Sequence, residues 1–169
     1  MKQTVKWLAA ALIALGLNQA VWADGVPNFQ ERLQAAEQGN AKAQLYLGWM
    51  YDNGQGVRQD DAQAVQWYRK AAEQGDDSAQ NNLGMMYANG QGVRQDDAQA
   101  VQWFRKAAEQ GNAQAQLNLG VMYYKGRGVR QDDAQAELWT RKAAEQGSAN
   151  AQNNLGAMYA QGLGVRQDY

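Results

Sequence analysis

The sequence of 169 residues contains no cysteine, no histidine and a single proline. Without cysteine the chain can form no disulfide bond, even in a compartment that would permit one. Without histidine it lacks the commonest general base and the commonest metal ligand. These absences turn attention away from catalysis and metal binding, and towards what the chain contains in abundance, which is an internal repeat.

The N-terminus has the pattern of a secretory signal. Lys2 and Lys6 supply a positive start, residues 7–17 form an apolar run, and Val21 and Ala23 place small residues before a cleavage site. We predict a signal peptide over residues 1–23 with cleavage after Ala23. The alternative, an uncleaved membrane anchor, is disfavoured because a spanning helix needs about 20 apolar residues. The remaining chain is expected to be exported, periplasmic or secreted, and bacterial.

The charges of this exported part are nearly balanced. Removal of the signal leaves 14 basic and 17 acidic residues, with the two signs interspersed and no basic run. Nucleic acid is therefore not an expected partner, and after signal cleavage neither is a membrane.

A 36-residue period dominates the rest of the sequence. Residues 53–67 are identical to residues 89–103. The positions that are identical in all four copies include the following three: Gly48, Gly84, Gly120, Gly156; Tyr51, Tyr87, Tyr123, Tyr159; and Val57, Val93, Val129, Val165. A fixed period between about 20 and 50 residues is typical of a solenoid, in which each unit buries its apolar face against its neighbours.

Each unit is predicted to contain two helices. The first helices are expected at 41–53, 77–89, 113–125 and 149–161, and the second helices at 61–73, 97–109 and 133–145. Asp60, Asp96 and Asp132 each precede a glutamine by three residues, a spacing typical of a helix N-cap. Glycines such as Gly54 and Gly75 stand where helices should end. The predicted divisions are an N-terminal capping helix within 24–38, repeats at 39–74, 75–110 and 111–146, and an incomplete repeat at 147–169.

The apolar residues with helical spacing are expected to form a structural core. Ala43, Leu47, Met50 and Tyr51 make the buried stripe of the first helix. The mid-helix glycines predict close contact with the second helix, through small residues equivalent to Ala64 and Ala71. Tryptophans at one position of the second helix are expected to fill the space between successive units: Trp67, Trp103 and Trp139.

The repeated pattern Ala-x-x-Leu-Gly-x-x-Tyr-x-x-Gly-x-Gly-Val-x-x-Asp, followed by Ala-x-x-Trp-Tyr-x-x-Ala-Ala-x-x-Gly, resembles the Sel-one-like repeat family over residues 39–169. The related tetratricopeptide repeat has 34 residues and a terminal proline, whereas the repeat of this chain has 36 residues and the single proline, Pro27, lies before the first repeat. The resemblance implies an all-α, right-handed α/α superhelix whose first helices line a concave face, and a role as adaptor or scaffold. Some secreted, cysteine-rich bacterial members are described as binding or slowly hydrolysing β-lactams, but they carry a cysteine pair in each repeat.

Comparison of the four copies indicates where a partner would bind. The positions that vary on the first helix are 42, 45, 46, 49, 52 and 53 with their equivalents, and they fall on one side of the helix. Asn82, Asn118 and Asn154 share a position with Tyr46 and form a predicted amide ladder beside apolar residues. The predicted protein- or peptide-binding residues are Lys42, Tyr46, Trp49, Asn53, Asn82, Met85, Asn89, Asn118, Val121, Lys125 and Asn154. The alternative is that these positions are solvated and free to vary, which their Trp, Tyr and Met content disfavours.

No catalytic, cofactor-binding or metal-binding residues are predicted. The paired acids at 60–61, 96–97 and 132–133 are explained as helix caps and dipole partners. Ser78 and Ser148, the serines of the sequence, lack a lysine three residues later. The expected function is an exported adaptor with an unidentified protein or peptide partner. One alternative is a β-lactam-binding or weak cell-wall amide hydrolase like the cysteine-rich relatives.

The other alternative is a self-associating structural array. Asp168 and Tyr169 stand where a fourth second helix would begin. A first helix without that partner would leave apolar surface uncovered, and a second copy of the chain could cover it as a homodimer.

Overall fold

The chain forms eight helices and no strands in residues 29–163, which are the residues that the computed structural model describes. The helices are α1 Phe29–Glu37, α2 Ala41–Asn53, α3 Asp61–Glu73, α4 Asp77–Asn89, α5 Asp97–Glu109, α6 Ala113–Lys125, α7 Asp133–Glu145 and α8 Ala149–Ala160. Each helix packs mainly on the next one along the chain, so the predicted α/α solenoid is confirmed. The predicted signal peptide, Pro27, Val165, Asp168 and Tyr169 lie outside the described residues.

The helix boundaries follow the chemistry of the caps. Asp60 accepts a hydrogen bond from the backbone N–H of Gln63 at 3.0 Å, and Asp96 and Asp132 repeat this contact with Gln99 and Gln135. The first helices are capped by side chains of another set: Asn40, Asp76, Asn112 and Ser148. Gly54, Gly90 and Gly126 adopt left-handed φ angles of 66°, 69° and 63° just after three first helices. The sequence prediction differs from the structure at α8, which ends at Ala160 instead of residue 161 because Gln161 forms the C-cap.

Helix α1 packs in front of α2 as a second helix does in front of the next repeat. Ala36 is buried with Ala43, Leu47 and Trp67. The Ala36 carbonyl accepts a hydrogen bond from Gln44 Nε2 at 2.9 Å, and Ala72 makes the equivalent contact with Gln80 at 3.1 Å. A helix therefore forms where the sequence predicted an N-terminal capping helix.

The repeated mid-helix glycine marks a close contact within three helix pairs, but the nearest side chain is not one of the predicted alanines. A Cβ atom added at Gly84 would lie 2.7 Å from the Phe104 ring, and one added at Gly120 would lie 2.5 Å from Thr140 Oγ1. Gly48 faces Tyr68 in the same way. In the second and third repeats the backbone carbonyl of the alanine equivalent to Ala64 is also among the nearest atoms. The physical reason is side-chain length, since the residue one turn beyond Ala64 is long enough to reach across the first helix.

The apolar core is divided between repeats, and each tryptophan packs where two units meet. Trp103 contacts the cluster that contains Tyr68, Leu83 and Met86, and Trp139 contacts the cluster of the next pair. Trp67 is buried against α1 and α2. The neighbouring lysines cover the outer ring faces, with Lys70 Nζ 4.0 Å from the Trp67 ring centre. The predicted position of the tryptophans between units is confirmed.

A chain of buried glutamines, which the sequence analysis did not single out, connects the repeats. Gln44, Gln80 and Gln116 are nearly inaccessible to solvent. Besides donating to a carbonyl of the preceding helix, Gln44 Oε1 accepts a hydrogen bond from Gln74 Nε2 at 2.7 Å. The Gln110–Gln80 and Gln146–Gln116 pairs repeat it at 2.8 Å. Because a buried amide without partners is costly, this network fixes how one unit docks on the next.

We predict opposite effects of one substitution at two equivalent glycines. Gly84→Ala should lower the free energy of unfolding by about 1–3 kcal/mol because the new methyl group overlaps the Phe104 ring. Gly156→Ala meets no atom within 4 Å and should raise it by up to about 1 kcal/mol, through helix propensity alone. Urea unfolding followed by circular dichroism measures both. Equal effects at the two sites would contradict the contact assigned to Gly84.

Candidate protein-binding face

The large apolar side chains that remain exposed gather on the first helices. Within residues 29–163 they are Tyr46, Trp49, Met85, Tyr124 and Tyr159. All except Tyr159 occupy the positions that vary between repeats. We call the variable positions of α2, α4, α6 and α8 the first-helix face. Exposed aromatic and methionine residues concentrated on one face are a feature of interaction surfaces.

The amide ladder is partly engaged within the protein. Asn118 Nδ2 donates to Asn81 Oδ1 at 3.0 Å, and Asn118 Oδ1 accepts from Gln114 Nε2 at 3.2 Å. Asn82 Oδ1 accepts a longer hydrogen bond, 3.4 Å, from Asn81 Nδ2. Asn154 is exposed. Since each amide has two donor hydrogens and an acceptor oxygen with two lone pairs, these contacts leave hydrogen-bonding capacity for a partner.

Asn81 is the residue of this face that the sequence analysis missed. It is buried, and it connects Asn82 of its own helix with Asn118 of the next repeat. The available signal was its repeat position, which holds leucine at 45 and 117 but asparagine at 81 and 153. A polar residue at a position that is apolar in alternate repeats suggests a local hydrogen-bonding role.

Three notches lie between successive first helices. The first, of about 260 Å³, is lined by Leu45, Tyr46, Trp49, Ser78 and Asn82. The second, of about 170 Å³, is lined by Met85, Ala88, Asn89, Phe104, Asn118, Val121, Met122 and Arg127. The third, of about 300 Å³, is lined by Gly120, Val121, Tyr124, Lys125, Thr140, Asn154, Ala157, Met158, Gln161 and Leu163. The notches therefore bring together nine of the eleven residues predicted from the sequence.

The two other predicted residues, Lys42 and Asn53, line none of these notches. Lys42 Nζ forms a 2.8 Å ion pair with Asp76, the N-cap of α4, and this hydrogen bond raises the pKa of Lys42. Asn53 Nδ2 donates to the Trp49 carbonyl of its own helix at 2.9 Å. Lys42 remains accessible, but its charge is directed to a structural contact between repeats.

The charged side chains near the first-helix face differ between the first repeat and the second notch. At the first repeat, burial raises the pKa of Asp52, whose carboxylate accepts a 3.3 Å hydrogen bond from the Tyr68 hydroxyl. Burial also raises the pKa of Tyr68. At the second notch, Arg127 makes two hydrogen bonds to Asp97, at 2.6 and 3.0 Å, which hold the Asp97 pKa below its usual value. Arg127 also donates to the Ala88 carbonyl at 3.1 Å, so it ties α6 to the preceding repeat.

Two features of residues 29–163 concern metal binding and membrane insertion. They contain no group of three or more acidic, histidine or cysteine side chains arranged to hold a metal ion. None of their helices combines the length and apolar character needed to cross a membrane.

Comparison with known families accounts for the repeat. The family model described as the Sel1 repeat matches residues 41–76, 77–112, 113–148 and 149–169. The chain belongs to the Sel1 repeat family. This is the family that the sequence pattern resembles, and its repeated scaffold suggests protein–protein interaction.

Solved structures with the same fold come from several bacteria. A protective antigen of uropathogenic Escherichia coli with an SLR (Sel-one-like repeat) fold is 50% identical to this chain, with a TM-score of 0.80. The match covers 82% of this chain and 30% of the antigen. A Sel1 repeat protein from Oxalobacter formigenes is 38% identical, with a TM-score of 0.75, over 94% of this chain and 64% of that one. Helicobacter pylori cysteine rich protein B is 28% identical, with a TM-score of 0.60, over 75% of this chain and 90% of that one.

A curated relative carries a binding function in its name. The secretory immunoglobulin A-binding protein EsiB of Escherichia coli is 48% identical over 63 residues, which are 37% of this chain and 13% of EsiB. The chain therefore spans a small part of the length of this relative.

We predict that Arg127→Gln, which restores the residue found at positions 55 and 91, weakens the link between the second and third repeats. The free energy of unfolding should fall by about 0.5–1 kcal/mol at pH 7, as for a partly exposed ion pair. The Asp97 pKa should rise towards its ordinary value, as followed by NMR titration of the carboxyl group.

The effect should depend on pH with a defined sign. Because the folded-state pKa of Asp97 is lowered, the stabilisation is present above the unfolded-state pKa, about 4, and is lost as pH falls through the folded value. The part of the stability difference that comes from Asp97 should thus disappear in acid, which leaves only the part that comes from the Ala88 carbonyl. Arg130→Gln, at an exposed arginine of the same loop, serves as control. A stability difference that persists undiminished at pH 2 would contradict this assignment.

Proposed function

We propose that the chain is an exported adaptor that binds a protein or peptide along a concave first-helix face. The observation that carries the proposal is the row of exposed Tyr46, Trp49, Met85 and Tyr124 at positions that vary between the repeats. Large aromatic and methionine side chains contribute most of the binding energy in typical interfaces, and they gain it by leaving water when a partner arrives.

The polar groups beside this row suit a polypeptide. The amides of Asn82, Asn118 and Asn154 offer donors and acceptors at a regular interval, which matches the alternating N–H and C=O groups of an extended backbone. The notches between helices would take side chains of the bound segment. Affinity would come from the apolar contacts and orientation from the amides.

Export and a protein partner are supported by the N-terminal pattern and by the relatives. Residues 1–23 have the composition of a secretory signal. EsiB is named as an immunoglobulin A-binding protein, and the E. coli antigen as a protective antigen. Since this chain spans only 13% of EsiB, the proposal adopts the class of partner, a protein, and leaves immunoglobulin A as one candidate to test.

Binding is tested by crosslinking pull-down from bacterial envelope extract and by direct binding of secretory immunoglobulin A. The variant is Trp49→Ala with Met85→Ala, which removes two exposed anchors without opening the core. The control is Gln66→Ala with Gln102→Ala, two exposed residues of the second helices. Capture of a partner should fall at least tenfold in the first variant, since anchors of this kind contribute about 1 kcal/mol or more each, and stay unchanged in the control.

Three outcomes would contradict the proposal. Equal capture by the parent and the anchor variant would move recognition away from the first-helix face. Concentration-dependent dimers of the parent in light scattering, with no captured partner, would favour the self-associating array. Nitrocefin turnover that persists through repurification would favour the hydrolase alternative. That alternative rests on the fold shared with the cysteine-rich H. pylori protein, whereas this chain contains no cysteine.

A further inference from the structure

The third notch differs from the second because a threonine replaces an aromatic ring in its lining. The second helices present Tyr68, Phe104 and Thr140 at the same repeat position. The two rings are buried against Gly48 and Gly84, whereas the nearest side-chain atom to Gly120 is the hydroxyl oxygen of Thr140. The glycine that makes room for a ring is therefore retained in the third repeat, while the ring itself is not.

This difference leaves space on the first-helix face. The notch closed by Phe104 measures about 170 Å³, and the notch above Thr140 measures about 300 Å³. Its inner surface is formed by Gly120, Val121 and Met158 together with Thr140. Tyr124 stands at the corresponding rim position, where the second repeat has Ala88, and it remains partly exposed. The result is a recess of mixed polar and apolar lining, with an aromatic wall.

The charge at the mouth of this recess is unbalanced. Lys125 is exposed and has no ion pair within residues 29–163. The other repeats carry Asn53, Asn89 and Gln161 at its position. Neither α6 nor α8 contains an acidic residue. The two helices that border the recess therefore present one positive charge and no negative charge, which favours a carboxylate in the occupant.

We propose that the third notch is the specificity pocket of the first-helix face, and that it receives a large apolar side chain of a partner polypeptide beside a carboxylate that pairs with Lys125. This inference rests on the proposed binding function and makes it specific. The apolar side chain would occupy the volume that Phe104 fills one repeat earlier. The exposed amides of Asn154 and Gln161 lie on the same lining and would bind the adjoining backbone.

The probe for the pocket is 3-phenylpropionate, which joins a phenyl ring to a carboxylate, with uncharged 3-phenylpropanamide for comparison. Binding to the full chain is followed by the NMR shifts of the Val121 and Met158 methyl groups. We expect saturable shifts at both residues. The dissociation constant should be about threefold larger for the amide, and similarly larger for Lys125→Asn, which is the size expected for the loss of one exposed charge pair.

Substitutions taken from the other repeats fill or open the notches. Thr140→Phe restores the residue of the second repeat and should weaken probe binding at least tenfold. Ala157→Trp restores the residue of the first repeat at an exposed position, and should block the mouth even if the core variant folds poorly. Phe104→Thr should create a second binding notch beside Met122, with weaker charge preference because Asn89 replaces Lys125.

The outcomes separate this pocket from the wider proposal. The pocket is overturned if the parent shows no saturable shifts. It is also overturned if Thr140→Phe and Ala157→Trp both bind the probe as tightly as the parent does. In the pull-down assay, the Trp49→Ala, Met85→Ala variant could lose the partner while both pocket variants capture it fully. That result would overturn the pocket but leave the first-helix face as the binding surface. Loss of capture in all these variants, with the second-helix control intact, supports both proposals.

Discussion

The contact between the fixed glycine of α2, α4 or α6 and the side chain that covers it on the following helix determines the geometry of the repeat. At Gly84 there is no room for a methyl group beneath Phe104, and at Gly120 there is none beside Thr140. A mid-helix glycine costs about 1 kcal/mol in helix propensity. The close packing of the two helices offsets that cost, because it allows a buried ring to contact the backbone of its partner directly.

With the helix pair fixed, the contacts between repeats can also recur. The buried glutamines meet the same carbonyl and the same partner glutamine at each junction, and the tryptophans fill equivalent spaces. Variation is tolerated where the junction is partly exposed: Lys42 pairs with Asp76 at one, and Arg127 with Asp97 at another. A solenoid built this way is stabilised by neighbour contacts, and its first-helix face is left free to vary.

That freedom explains how a repetitive scaffold can acquire a specific surface. The fixed positions supply the packing, so changes among Tyr46, Asn82, Asn118 and Asn154 need not disturb the core. A change at the second-helix position shared by Tyr68, Phe104 and Thr140 is different, because it alters the interior and the surface together. Thr140 in place of a ring keeps the close contact at Gly120 but enlarges the notch beside Lys125 relative to its equivalent in the preceding repeat. One substitution in the core can thus create a recess on the face.

The sequence by itself determined the period, the boundaries of the repeat helices to within one residue and the caps, and it placed Ala43 and Leu47 in the core, whereas Met50 and Tyr51 of the predicted stripe are only partly buried. These features depend on local rules, in which an Asp or Asn side chain meets a backbone amide three residues away and apolar positions recur at helical spacing. The copies within the chain also indicated which positions vary, and nine of the eleven residues chosen on that basis line notches.

The tertiary structure decided which distant side chains meet. It replaced Ala64 and Ala71 with Tyr68 as the neighbour of Gly48, engaged Lys42 and Asn53 in structural contacts, and revealed the buried roles of Gln44 and Asn81. Those outcomes depend on how far each side chain reaches across a gap between helices. The spacing of residues along the chain does not specify that gap, because it is set by the joint packing of all the helices around it.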